Sequence, residues 1–230
     1  DLLLLDLLLL DLLLLLDFLL LMDLLLYYQI HHFSFSKKNI NCSIDESFTR
    51  FREVAHMAKK HKRKLRGYLS VAFGCPYEGQ VSEKRVVELA KAYIQLGVYE
   101  ISIGDTIGVA TPRQVRSLVN KLKKVIPIKK IALHLHDTRG TALANVLAGL
   151  EMGVRVFDSS FAGLGGCPYA SGASGNLATE DLVYMLQGMG FETGVDLSHL
   201  IRFGPRLTEI MGKDLPSKTL AAGLPQLNLL

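Results

Sequence analysis

Apolar segments of strand length alternate with amphipathic segments of helix length at intervals of about thirty residues, so the chain reads as α/β with a parallel sheet. Polar residues gather where those strands end: Gly104-Asp105-Thr106, His134 through Thr138, and Asp158-Ser159-Ser160. Such clustering fits a (β/α)8 barrel, whose chemistry sits at the carboxyl ends of its strands. A whole barrel takes about 250 residues and eight units. Only four βα units are legible here. The expected fold is therefore an incomplete TIM-type barrel holding about four C-terminal βα units.

The elements follow in order. Residues 1–26 are almost only Leu and Asp. Their aspartates recur every five or six residues, and a five-residue step turns a helix by about 500°, so they spiral round the whole surface. The tract is not amphipathic. Each Asp would cost roughly 2.5–3.5 kcal/mol inside a bilayer, which argues against a membrane span. It also lacks the basic start and cleavage site of a signal peptide and the arginines of a mitochondrial presequence. We expect residues 1–34 to be a low-complexity segment and residues 35–230 to be the C-terminal part of the barrel. No targeting peptide is recognisable, and the expected compartment is the cytoplasm or the mitochondrial matrix.

Ser43-Ile44-Asp45-Glu46 has the pattern of a capping box and should open a helix to about residue 60. The basic run from Lys59 to Lys64 fits a solvated helix end. A strand is expected at residues 65–72. Ser82 should cap the next helix, with Val86, Leu89, Ala90, Tyr93 and Ile94 on one face and Gly97 as its stop. A strand at 98–103 follows, then a helix opened by Thr111-Pro112. Residues 131–135 form the third strand, followed by a helix to Met152 and a strand at 154–160. After a glycine-rich loop, Thr179 should cap a helix to Gln187, and Asp196 should start the last one.

The formal charge of +4 includes five aspartates of the leading tract, so the rest of the chain is basic. That balance suits an anionic ligand such as a phosphate-bearing cofactor. No aromatic-basic interleaving or zinc-finger spacing points to nucleic acid. Three widely spaced cysteines, Cys42, Cys75 and Cys167, suit a reducing compartment better than a disulfide framework.

His134 and His136 stand two apart in an apolar run. Alternate strand residues share a face, so both imidazoles should point the same way and could hold a divalent metal. A hydrogen-bonded pair of core histidines is the alternative. The loop from Gly163 to Asn176 is rich in glycine and carries Cys167, which could exchange a proton or be incidental.

Here the stretches become specific. Lys37-Lys38-Asn39-Ile40-Asn41-Cys42-Ser43, Arg66-Gly67-Tyr68, Gly74-Cys75-Pro76-Tyr77-Glu78-Gly79, Tyr99 to Ser102, Gly104 to Gly108, His134 to Thr138 and the run Gly163 to Asp181 closely resemble the 3-hydroxy-3-methylglutaryl-CoA lyase family. The histidine pair alone is shared with a wider group of metal-dependent barrels. The glycine-rich loop is narrower and points to the lyases.

The resemblance implies cleavage of an acyl-CoA, 3-hydroxy-3-methylglutaryl-CoA, to acetyl-CoA and acetoacetate, as in leucine breakdown or ketone-body formation. It implies Mg²⁺ or Mn²⁺ held by His134, His136 and Asn176. Cys167 would protonate the departing carbanion, and Asp105 would assist proton transfer or orient the substrate. Tyr68 would line the site, and Lys37, Lys38 and Asn39 would meet CoA phosphates. Glu180 and Asp181 match the family too, although a place in a helix's first turn is reason enough for them. A homodimer is implied, with neither nucleic acid nor membrane as partner. The resemblance also implies an Arg-Asp-Gly motif on the first strand, and residues 1–34 contain none. Two further readings stay open: an inactive barrel fragment that binds at most metal or acyl-CoA, and a related acyl-CoA-dependent synthase.

Overall fold

The computed structural model describes residues 24–30, 36–37, 41–166 and 175–225. The leading tract before Leu24, the residues Lys38 and Asn39, and the loop segment with Cys167 lie outside them. Five strands form one sheet: β1 (Leu24–Ile30), β2 (Lys64–Ser70), β3 (Glu100–Asp105), β4 (Ile131–Leu135) and β5 (Val156–Asp158). They lie in chain order and every neighbouring pair is parallel. Among the described residues the crossovers carry α1 (Ile44–Lys60), α2 (Glu83–Gln95), α3 (Pro112–Leu122) and α4 (Ala142–Glu151). After β5 come α5 (Thr179–Gly188), α6 (Leu197–Met211) and the short α7 (Lys218–Ala222).

The four strands expected from the sequence are β2 to β5. The fifth, β1, arises within residues 1–34, which the sequence places outside the barrel. A near-continuous apolar run suits a parallel strand, and Tyr27, Tyr28 and Ile30 are good strand formers. The strand straddles the end of the Leu/Asp tract at Leu26, which split that signal in two.

Local chemistry sets the helix ends. At α1 the capping box is complete: the Ser43 N–H donates to Glu46 Oε2 at 2.7 Å, and the Glu46 N–H donates to Ser43 Oγ at 3.2 Å. Pro112 opens α3 behind Thr111. Asp196 caps α6 by accepting the His199 N–H at 3.0 Å. One cap differs from expectation. Ala178, not Thr179, is the N-cap of α5, and the Thr179 hydroxyl instead pairs with Ser159 at 2.9 Å.

Two glycines show which face of the sheet the helices cover. A Cβ on Gly67 of β2 would stand 3.0 Å from the Tyr93 ring of α2, and one on Gly149 of α4 would stand 2.7 Å from Leu133 of β4. Leu133 therefore points outward, and strand alternation sends His134 to the inner face. Between sheet and helices, Leu69, Ile101, Ile103, Ile131 and Leu133 meet Phe51, Tyr93, Leu118 and Leu122, all buried. That core fixes the strands whose inner faces carry the site. No helix among the described residues is long and apolar enough to cross a membrane.

Candidate active site

The site is built from residues of the inner face, brought level by the strand register. Arg66 lies beside Glu100, Tyr68 beside Ser102, Gly104 beside His134, and His134 beside Asp158. His134 and Asp158 sit at the carboxyl ends of their strands, whereas Glu100 opens β3 and Arg66 lies deeper, in the first half of β2.

His134 is the penultimate residue of β4, and His136 lies one residue beyond its end. Their Nε2 atoms approach to 3.3 Å, with the rings tilted by 54°. Both therefore aim one nitrogen at the same point. His136 is buried, and its Nδ1 has no hydrogen-bond partner. Burial first, and then the neighbouring His134, pushes its pKa down to about 4. The ring is thus neutral near pH 7, the form that ligates a metal.

Asn176 reaches the same place from the end of the glycine-rich loop. The segment docks along the end of β4: Leu177 N–H donates to Leu135 O at 3.2 Å, Asp137 N–H donates to Gly175 O at 3.3 Å, and His136 and Asn176 pair across an antiparallel bridge. The Asn176 Nδ2 donates to Leu164 O at 2.9 Å. This commits the amide nitrogen and leaves the carbonyl oxygen as the atom for a cation. Position 165 must be glycine here, because a Cβ would stand 2.7 Å from Asn176 Nδ2 and the backbone φ is +97°.

Two imidazoles and an amide oxygen are a donor set of the kind that suits a divalent cation. Among the described residues no three His, Cys, Asp or Glu side chains gather into a metal-holding group. The fit therefore rests on the mixed donor set.

Behind the histidines lies a charged cluster. Arg66, buried within β2, donates through Nε to Glu100 Oε1 at 2.6 Å and through both Nη atoms to Asp158, at 3.1 and 2.8 Å. Ser102 Oγ donates to Asp158 Oδ2 at 2.7 Å. Burial alone would raise the Asp158 pKa; the His134 ring, Arg66 and Ser102 outweigh it and hold the carboxyl at about 2. The Arg66 guanidinium is correspondingly pushed to a higher pKa against its own burial. Tyr68 accepts from Arg66 Nη1, and its ring lies edge-on to His134 with centroids 6.4 Å apart.

Asp105 ends β3. Its Oδ1 accepts the Val109 N–H at 2.9 Å and its Oδ2 accepts the Ala110 N–H at 3.0 Å, so the carboxyl closes the following loop. It is 1% exposed, and burial pushes its pKa up to about 6.

The structure thus brings Tyr68, His134, His136 and Asn176 to one mouth of the sheet and sets Asp105 at the neighbouring strand end. Lys37 is exposed. Lys38, Asn39 and Cys167 fall outside the described residues. Cys42 and Cys75 are buried, free thiols.

Three carboxylates do more than their sequence positions suggest. Both oxygens of Glu180 accept the Ala162 N–H at 3.0 Å, anchoring the start of the glycine-rich loop where Ala162 has a φ of +56°. Asp181 accepts from Ser217 Oγ and from the Lys218 and Thr219 N–H groups, and so supports the start of α7, whose N-cap is Ser217. Asp158 serves Arg66 and Ser102. Arg66 inside an apolar strand was the one sequence signal for that cluster, since a cation there needs a partner.

The fold is part of a parallel (β/α) barrel, and two imidazoles meet where its fourth strand ends, with the Asn176 backbone bridged to His136. The HMGL-like family model matches residues 30–205. The chain belongs to that family. It is 52% identical over 188 residues to the mitochondrial hydroxymethylglutaryl-CoA lyase of Homo sapiens, covering 82% of this chain and 58% of that protein. It is likewise 52% identical over 189 residues to the cytoplasmic 3-hydroxy-3-methylglutaryl-CoA lyase of Mus musculus, covering 82% of this chain and 55% of that one. A solved HMG-CoA lyase from Acinetobacter baumannii, in complex with coenzyme A and 3-methylmalate, superposes with a TM-score of 0.85 at 38% identity, over 90% of this chain and 68% of that one. The chain therefore spans little more than half the length of these curated relatives.

Proposed function

We propose that these residues serve the cleavage of 3-hydroxy-3-methylglutaryl-CoA to acetyl-CoA and acetoacetate. The single observation that carries the reading is the convergence of His134 and His136, Nε2 to Nε2 at 3.3 Å, beside Asn176 at the mouth of the sheet. His134, His136 and the Asn176 carbonyl oxygen would hold Mg²⁺ or Mn²⁺. Such an ion, when bound, supplies Lewis-acid polarisation of the substrate's tertiary hydroxyl and carboxylate.

The chain's own side chains carry the remaining work. The reaction breaks the bond between the thioester's α-carbon and the tertiary carbon. The hydroxyl passes its proton to the carboxylate of Asp105 and becomes the ketone of acetoacetate. The electron pair leaves with the thioester fragment, which takes a proton from Cys167 to become acetyl-CoA. Asp105, with a pKa near 6, lies in the range where a carboxyl exchanges protons efficiently near neutral pH. Tyr68, held by Arg66, lines the inner wall beside His134. Lys37, Lys38 and Asn39 are assigned to the CoA phosphates, where cations steer an anionic ligand. The assembly is a homodimer in the cytoplasm or the mitochondrial matrix, following the locations named for the relatives.

The test joins this chain to the N-terminal strands of the human relative and supplies Mg²⁺ and 3-hydroxy-3-methylglutaryl-CoA. Acetoacetate release that is lost on Cys167→Ala and on His136→Ala is the expected outcome. A folded, metal-loaded fusion that releases none contradicts the reading.

A further inference from the structure

His134 and His136 do not stand in equivalent surroundings. The far nitrogens of both rings, His134 Nδ1 and His136 Nδ1, are buried without a hydrogen-bond partner. That of His134 has a carboxylate oxygen in front of it, Asp158 Oδ2 at 3.5 Å. The separation is longer than an ordinary hydrogen bond, so the pair is an electrostatic contact. The carboxylate cannot follow the ring freely. Arg66 grips both its oxygens and Ser102 donates to Oδ2, so three donors from β2 and β3 fix it opposite His134. Register does the same at the backbone level, because His134 and Asp158 are directly paired neighbours on β4 and β5. Arg66 is itself locked from the other side by Glu100.

We infer that Asp158, clamped by Arg66 and Ser102, is a positioning residue that keeps the proton of His134 on Nδ1 and so leaves the Nε2 lone pair free to face His136. The inference rests on reading His134 as a cation ligand and deepens it. A ring nitrogen can donate electrons to a cation only if the proton sits on the other nitrogen. A fixed acceptor behind the ring selects that tautomer in advance and orients the ring plane. Among the described ion pairs no carboxylate stands beside Nδ1 of His136 in this way. The two ligands thus differ: His134 is preset, whereas His136 takes its tautomer from what binds in front of it. Glu100 and Arg66 complete a relay across three strands that ends at the ligand without touching it.

The test uses the 230-residue chain labelled with ¹⁵N-histidine, free of divalent cations, at mildly alkaline pH. The ring nitrogen shifts report which nitrogen carries the proton. Wild-type protein should show His134 as the Nδ1–H tautomer. In Asp158→Ala the acceptor beside the ring is removed, so His134 should lose its preference for Nδ1–H and Mn²⁺ affinity should fall about 10–100-fold. Ser102→Ala keeps the carboxylate and should keep the wild-type tautomer. His134 protonated on Nε2 in the wild type overturns the inference, as does an Asp158→Ala protein with unchanged tautomer and affinity. A wild-type chain that binds no Mn²⁺ would defeat the reading of the cation site, while the tautomer of the free protein would still decide the role of Asp158.

Discussion

At the scale of single residues, a buried carboxyl is defined by what its oxygens accept. Asp105 accepts two backbone N–H groups and is almost fully buried, and burial wins: its pKa rises from 3.8 to about 6. A raised carboxyl pKa means the folded state holds its proton more tightly than the unfolded chain. The stabilisation is complete below about pH 4 and is lost as the pH climbs through 6. Unfolding measured across that window should show stability falling with pH by up to about 3 kcal/mol. In Asp105→Asn that fall should vanish, at a constant cost of about 1–3 kcal/mol because one amide N–H loses its acceptor. An unchanged pH slope in the variant would place the titration elsewhere. Much of the site was legible at this scale. The spacing of His134 and His136 fixed their shared face, because strand alternation is strictly local. The place of Asn176 came through the family's motifs, since no spacing links a loop to a strand forty residues earlier. Arg66 and Asp158 meet across 92 residues, a distance at which only the folded sheet says who pairs with whom.

At the scale of elements, the ends of helices and the grooves between layers decide small but measurable energies. Helix α1 ends in a hydrogen-bond pattern, Arg63 N–H to Ala58 O, that wants a left-handed residue just before it. Exposed Lys62 fills that place with φ +55°. Lys62→Gly should raise stability by about 0.5–1 kcal/mol, read as a higher Tm, because glycine adopts this conformation without strain. Gly149 presents the opposite case. Helix propensity alone favours Gly149→Ala by about 1 kcal/mol. The added methyl, however, would stand 2.7 Å from Leu133 and 3.1 Å from Phe157, in strands that also carry His134 and Asp158. Overpacking of this kind costs about 1–3 kcal/mol, so the variant should unfold at a lower temperature and bind Mn²⁺ more weakly. The sequence announced most of these elements. The capping box at Ser43, Pro112 at the start of α3 and the Asp196 cap are local rules that tertiary packing had no reason to override. The cap at Thr179 failed because Ser159 offered its hydroxyl a partner across the loop. Short α7 was not read beforehand: a five-residue helix carries no apolar period, and although Ser217 caps it locally, Asp181 of α5 supplies the acceptors for its first two N–H groups.

At the scale of the whole molecule, the sheet is a row of parallel strands whose shared inner face ends in one polar mouth. The four strands with ordinary composition could be read in advance. The fifth could not, because it straddles the change in composition between Leu26 and Tyr27 and neither part alone has the length of a strand. A ligand that binds only the folded state stabilises it by mass action, about 2.7 kcal/mol at a hundredfold excess over Kd. Saturating Mn²⁺ should therefore raise the unfolding temperature of the chain, and a chelator should restore the metal-free value; His134→Ala should abolish the shift. The account stands or falls on whether His134, His136 and Asn176 share one cation. Pulsed EPR of the Mn²⁺-loaded protein tests this most directly, because nitrogen coupling reports each coordinated imidazole. We predict two imidazole couplings, one lost in His134→Ala and one in His136→Ala. Bound Mn²⁺ without nitrogen coupling, or with coupling that survives both substitutions, would contradict it.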